Sequence, residues 1–282
     1  MNTHEGFNRI PYSIYSSKYV GLDPEPVNPK YRALDSEMQL GYKYAIEDNP
    51  TEATRVWLGV WNSLMDAMAK ESIEKFRAFD RVFNGNQYIT NWINDFEDLL
   101  FNAISNTDDI QAINVYGNIR IQLNEEIQKY VDDTRFIENA KRSVAETYFI
   151  MGNKEKGEML FQDYLKVDPE WGWAWIGWSD QYWLFKKQDA DYKRGEEILF
   201  KALTIPGLRD KEDVEERLLD LYHNSDEEEK CKALEKKISN KKNKKQKEKE
   251  SIYSSIIKRV VNPDQNINYK VGRNEACPCG SG

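Results

Sequence analysis

A spacing of small and aromatic residues that returns along the chain constrains the fold more than any other feature of the sequence. In the stretch "RSVAETYFIMGNKEKGEMLFQDYLKVDPEW" (142–171) it is formed by Ala145, Tyr148, Gly152, Gly157, Phe161 and Pro169. Small residues let two helices approach closely, aromatic residues fill the space between them, and a proline ends the second helix. This stretch is therefore expected to form a pair of packed helices.

The same spacing returns at three other places. Its residues are Gly41, Tyr44, Ala53 and Trp57; then Ser179, Tyr182, Gly195, Leu199 and Ala202; and finally Leu219, Tyr222 and Cys231. The spacing resembles that of the tetratricopeptide repeat family, which implies stacked helix pairs. Two further segments, 91–104 and 108–127, look like another pair with weaker signals. No run shows sustained alternation of apolar and polar residues, so we predict an all-α fold, an α-solenoid of about five antiparallel helix pairs with a flexible basic tail.

Composition divides the chain into five regions. They are an N-terminal leader (1–28), degenerate helical repeats (29–135), tetratricopeptide-like repeats (136–238), a lysine-rich linker with a short apolar segment (239–270) and a truncated terminal motif (271–282). The leader is rich in proline, and proline and the residue before it resist helix formation. Residues 236–250 are nearly all charged or amide, which predicts either a flexible linker or a frayed, solvated helix.

Charge is distributed unevenly along the chain. The net charge is -8, yet residues 236–282 hold 12 Lys and Arg against 4 Asp and Glu. An acidic body thus carries a basic tail. The tail could attract nucleic acid, the ribosome or an acidic protein surface, or it could be a solvated spacer.

Five of the eight tryptophans lie within the segment "PEWGWAWIGWSDQYW" (169–183). On a helix, Trp171, Trp175 and Trp178 share one face, which is expected to pack into the neighbouring repeat. Trp173 lies on another face, which the repeat geometry directs toward a concave groove lined mainly by the first helix of each pair. The predicted groove residues are Arg142, Glu146, Trp173, Asp180 and Trp183. Such a groove suits a segment of a partner protein, because Trp and Arg dominate binding hot spots; the alternative is that all five tryptophans are packing residues.

The sequence ends in "GRNEACPCGSG" (272–282), where Cys277 and Cys279 are one residue apart. This stretch resembles the SEC-C motif, first known from the tail of the SecA translocation motor and found on many bacterial proteins. The resemblance implies that four side chains, among them Cys277 and Cys279, bind one zinc ion, and that the tail contacts a chaperone and the ribosome.

The second pair of zinc ligands does not follow in the sequence. Three explanations are open: a truncated motif, a degenerate remnant, or completion by another molecule. Zinc is expected only if the motif continues beyond Gly282 or the missing ligands come from another molecule. Cys231 falls in a small-residue position of the repeat and is expected to be a packed thiol, not a metal ligand.

The functional expectation is a non-enzymatic scaffold that binds a protein or peptide. Only two histidines occur, His4 and His223, and the chain has no phosphate-binding glycine loop and no plausible catalytic triad. No specific small-molecule substrate is predicted. The alternative is a ribosome- or RNA-associated factor that acts through the basic tail. No stretch approaches the ~18 apolar residues of a membrane span, and no secretory signal is evident, so a cytoplasmic protein is expected.

Overall fold

The computed structural model describes residues 27–184 and 189–261, and every regular element within them is a helix. A short 3-10 helix, Pro29–Tyr31, comes first. The α-helices are α1 (Arg32–Ile46), α2 (Pro50–Lys70), α3 (Phe76–Phe83), α4 (Ile89–Ser105), α5 (Ile110–Tyr130), α6 (Thr134–Ile150), α7 (Lys154–Val167), α8 (Gly172–Trp183), α9 (Tyr192–Leu203), α10 (Lys211–Asn224) and α11 (Glu228–Val261). The prediction of an all-α, solenoid-like fold is confirmed for this part of the chain.

The described residues divide into two compact units, one that ends at Arg217 and one that begins at Leu218. In the first unit, α1 packs with α2, α4 with α5, α6 with α7, and α8 with α9. Successive pairs meet where α2 contacts α4, α5 contacts α6, and α7 contacts α8, and the first helices of neighbouring pairs also touch, α4 with α6 and α6 with α8. Each pair therefore buries a face against the next, as in a solenoid.

Asparagine and aspartate side chains cap the starts of five α-helices. Asn49 accepts the backbone N–H of Glu52 at 3.1 Å, and Pro50 occupies the first position of α2. The other residues that cap a helix start in this way are Asp109, Asp133, Asn153 and Asp191. Because each cap satisfies a donor that the helix leaves unpaired, the turns between paired helices are specified locally by the sequence.

The contact between Gly41 and Trp57 shows how the repeat spacing acts. Trp57 is fully buried, and its indole Nε1 donates to the Met38 carbonyl at 3.0 Å. A β-carbon added at Gly41 would lie 2.0 Å from that Nε1. The absence of a side chain at Gly41 is therefore what admits the indole between α1 and α2. Trp57 in turn meets Phe96 of the next pair edge-on, with ring centroids 5.5 Å apart.

One helix of the first unit was not predicted. Helix α3 lies between the first two pairs, contacts α4, and contributes three fully buried rings, Phe76, Phe79 and Phe83. The three rings share one face of a helix of only two turns. The short helix thus fills the space between the first pair and the second.

The described part of the second unit comprises the end of α10 and the long helix α11. Of the two structures predicted for residues 236–250, the solvated helix is the one found, because α11 runs without interruption from Glu228 to Val261 and nearly every side chain in 236–250 is exposed. Nearly all of the leader and all of the terminal motif, including Cys277 and Cys279, lie outside the described residues. None of the described helices combines the length and apolar composition needed to cross a bilayer.

Candidate functional site

The first unit contains an open cavity of about 520 Å³ lined mainly by α4, α6 and α8. These are the first helices of three successive pairs, the ones predicted to line the groove. The charged residues around the cavity are Glu97, Asp98, Arg120, Asp133, Arg135, Arg142, Glu146, Asp180 and Arg217. Five acidic and four arginine side chains thus share one cavity, and we call it the groove.

Arg142 and Trp173 form the aromatic part of the groove. The Arg142 guanidinium carbon lies 5.5 Å from the centroid of the Trp173 ring, and Arg142 Nε lies 3.2 Å from Glu146 Oε1. Gly177, one turn after Trp173 on α8, faces the aliphatic part of Arg142: a β-carbon there would lie 2.7 Å from Arg142 Cδ. The arginine therefore lies along α8, held between an indole, a carboxylate and a glycine.

Trp173 differs from its neighbours in exposure. Its side chain is 37% exposed, whereas Trp171, Trp175 and Trp178 are nearly buried. Trp178 donates from Nε1 to Glu158 Oε1 at 2.9 Å and stacks on Phe161, as expected for a face packed against the preceding pair. Trp173 is thus the one tryptophan of the cluster that offers substantial ring surface to a ligand.

Arg120 forms the buried base of the groove. It is only 2% exposed, donates from Nη1 to the Ser143 carbonyl at 3.1 Å and to Thr147 Oγ1, and pairs through Nη2 with Glu97. Its guanidinium also lies 4.9 Å from the centroid of the Phe101 ring. A single side chain of α5 therefore ties α4 to α6 beneath the groove.

The sequence did not indicate Arg120 and Glu97 as site residues. The available signal was the run Gly117, Arg120, Asn124 and Ile127, which lies on one face of α5 with two polar residues at buried positions. A buried arginine requires a carboxylate and hydrogen-bond acceptors nearby.

Asp180 and Arg217 lie at another part of the groove. Asp180 is 7% exposed, and its Oδ1 is 3.5 Å from Arg217 Nε. The groove therefore contains three ion pairs: Glu97 with Arg120, Arg142 with Glu146, and Asp180 with Arg217.

Trp183 does not line the groove. Its side chain is 2% exposed, its Nε1 donates to Ser179 Oγ at 3.2 Å, and its ring centroid lies 6.3 Å from that of Tyr192 on α9. The structure thus brings four of the five predicted residues to one cavity and places the fifth in the packing between α8 and α9.

Cys231 is buried in the second unit, as expected for a packed thiol. Burial raises the pKa of the thiol above its ordinary value, and the nearby Glu235 carboxylate raises it further. The sequence did not indicate that His223 and Glu235 would lie beside it, because their approach depends on the turn between α10 and α11.

Comparison of the chain with models of known protein families found no match, and comparison with curated protein sequences found none. The class of protein is therefore described by its fold and its groove alone. It is an α-helical, solenoid-like protein with a polar groove that carries one exposed tryptophan.

Proposed function

We propose that the protein is a non-enzymatic scaffold that binds a peptide or a segment of a partner protein in the groove. The observation that carries this proposal is the pairing of a 37% exposed Trp173 with Arg142 on the groove wall. Trp and Arg are the residues most enriched at binding hot spots, and the surface of a helical-repeat protein on the side of its first helices commonly receives a partner.

The size and chemistry of the groove suit a short stretch of polypeptide. A volume of about 520 Å³ accommodates a few side chains. An apolar ligand side chain would cover the exposed face of Trp173, while Arg142 and Glu146 would supply hydrogen-bond donors and acceptors to its backbone. The mixture of both charge signs favours a polar peptide over a strongly acidic or strongly basic one.

The lining of the groove also supports a binding role over a catalytic one. Among the described residues that line it there is neither histidine nor cysteine, and three acidic side chains each pair with an arginine.

The proposal is tested by selecting displayed peptides on the full-length protein and measuring their affinity for two variants. Trp173→Ala should weaken a groove-binding peptide by tenfold or more, about 1.4 kcal/mol, because it removes the apolar contact surface. Phe200→Ala is the matched control, since Phe200 is 49% exposed on α9 and is not among the groove residues. Peptides that bind the Trp173→Ala protein as tightly as the native one would refute the proposal.

The terminal motif belongs to the same proposal. We propose that Cys277 and Cys279 contribute to a zinc-binding docking tail of a cytoplasmic protein, in contact with a chaperone or the ribosome. Two thiolates occupy half of a tetrahedral zinc site, so this role requires two further ligands.

A second candidate function is association with the ribosome or RNA, and the exposure of the lysines of α11 favours it. All eight lysines between residues 236 and 249 are exposed on the helix surface. Removing residues 236–282 should then abolish an association whose affinity falls steeply with salt, because phosphate contacts release counterions. An association that survives this deletion, or that does not respond to salt, would exclude the tail as its cause.

A further inference from the structure

The turn between α10 and α11 brings three potential metal ligands together within the second unit. His223 is in the last turn of α10, and Cys231 and Glu235 are four residues apart on α11, on one face of that helix. The Cys231 Sγ lies 3.0 Å from His223 Nε2, and one ligand atom from each of the three side chains lies within 4.8 Å of the others.

We infer that His223, Cys231 and Glu235 form a binding site for a zinc-class divalent cation, separate from Cys277 and Cys279. Imidazole nitrogen, thiolate sulfur and carboxylate oxygen are the three ligand types that zinc takes in proteins. This inference does not rest on the proposed function of the groove.

The distance between the sulfur and the imidazole nitrogen is close to the one that a shared zinc ion requires. Zinc bonds of ~2.3 Å to sulfur and ~2.1 Å to nitrogen place the two donor atoms roughly 3.6 Å apart at a tetrahedral angle. The observed separation of 3.0 Å between Cys231 Sγ and His223 Nε2 differs from that value by about 0.6 Å.

The local backbone holds the ligands in place. Asp226 adopts a left-handed conformation with φ of 56°, which turns the chain sharply between the two helices. The backbone N–H of Glu227 donates to the Tyr222 carbonyl at 3.0 Å, and that of Cys231 donates to the Glu227 carbonyl at 3.0 Å. The separation of His223 and Cys231 is therefore set by hydrogen bonds of the main chain.

Exposure and charge also suit a cation. Cys231 is buried, whereas His223 and Glu235 are exposed, so an ion can enter from solvent and still contact a protected sulfur. The segment from residue 223 to residue 235 contains five acidic residues against two lysines. This excess of negative charge attracts a divalent cation. Three protein ligands leave a fourth position for water or an external ligand.

Cobalt(II) titration tests the site, because cobalt adopts zinc geometry and reports its ligands by absorption. The full chain would carry Cys277→Ser and Cys279→Ser, so that Cys231 is its only thiol. We expect saturation at one equivalent, visible bands of tetrahedral intensity, a thiolate-to-cobalt charge-transfer band, and displacement of cobalt by added zinc.

Three variants in the same background identify the ligands. Cys231→Ser should remove the charge-transfer band, and His223→Gln and Glu235→Gln should each weaken binding by about tenfold or more. Glu229→Gln, which removes a neighbouring carboxylate from α11, should leave the affinity within about twofold. Because His223 and Glu235 are exposed, their variants should keep the helical circular dichroism of the parent, which separates loss of a ligand from unfolding.

The inference is overturned if the background protein shows no saturable charge-transfer band. It is also overturned if the His223→Gln variant binds cobalt as tightly as the background protein, since His223 would then not be a ligand of the ion that Cys231 binds. Failure of this site and failure of the groove are distinguishable, because the cobalt measurement involves no peptide.

Discussion

Replacing Gly41 with alanine should destabilise the first unit, and replacing Gly59 should stabilise it. Both glycines lie inside helices, where alanine is favoured over glycine by about 1 kcal/mol. At Gly59 nothing lies within 4 Å of the new β-carbon, so this gain should appear almost unchanged.

At Gly41 the new β-carbon would lie 2.0 to 2.6 Å from three atoms of the Trp57 indole. Moving a fully buried indole costs about 1–3 kcal/mol in packing, and losing its hydrogen bond to the Met38 carbonyl costs about 1 kcal/mol more. After subtraction of the helix-propensity gain, the net loss is about 1–3 kcal/mol. The two variants should therefore differ by about 2–4 kcal/mol.

Urea unfolding followed by circular dichroism measures both changes. The midpoint should fall for Gly41→Ala and rise for Gly59→Ala, with similar slopes. Equal or greater stability of Gly41→Ala would refute the claim that a missing side chain at Gly41 admits Trp57 between the helices.

Two further predictions concern buried charge. Arg120→Met should destabilise the protein by about 3–5 kcal/mol, because it leaves Glu97 without its counter-ion. Adding Glu97→Gln should recover part of that loss, which a double-mutant cycle in urea would measure. An Arg120→Met protein as stable as the native one would contradict this prediction. Burial raises the pKa of Asp95, whose carboxylate accepts the Tyr42 hydroxyl at 2.5 Å. The folded state therefore holds the Asp95 proton more tightly than the unfolded state does. The contribution of Asp95 to the free energy of unfolding is thus present at low pH and is lost as the pH rises through the folded-state pKa. Native protein should accordingly gain stability relative to Asp95→Asn as the pH falls from 7 to 4, and an opposite trend would contradict the assignment.

The helix pairs could be predicted because their determinants are local. The spacing of Gly41 and Trp57 reflects a contact between neighbouring helices, and caps such as Asn49 lie directly before the helices they start. Helix α3 could not be predicted in this way, because its three phenylalanines span two turns and its place depends on packing against α4. Residues 236–250 lack an apolar face, so their sequence does not distinguish a helix from a flexible linker, although lysine, glutamate and glutamine are good helix formers.

The residues that line the groove could be predicted only where helical periodicity determines which face of the helix a side chain occupies. Asp180 is seven residues from Trp173, about two turns along α8, and shares its face. Trp183 is ten residues away, which rotates it about 80° from Trp173 and into the packing with α9. Arg120 was not predicted, because it reaches the groove from α5, the second helix of its pair, through contacts with α4 and α6.

A cross-linking measurement tests the central claim, that the groove receives a peptide. A selected peptide carrying a benzophenone group would be photolysed on the native protein, and the attachment sites would be located by mass spectrometry. Attachment to residues of α4, α6 or α8 that line the groove, such as Asn139 or Trp173, is the predicted result. Attachment confined to α7, α9 or α11 would contradict the account.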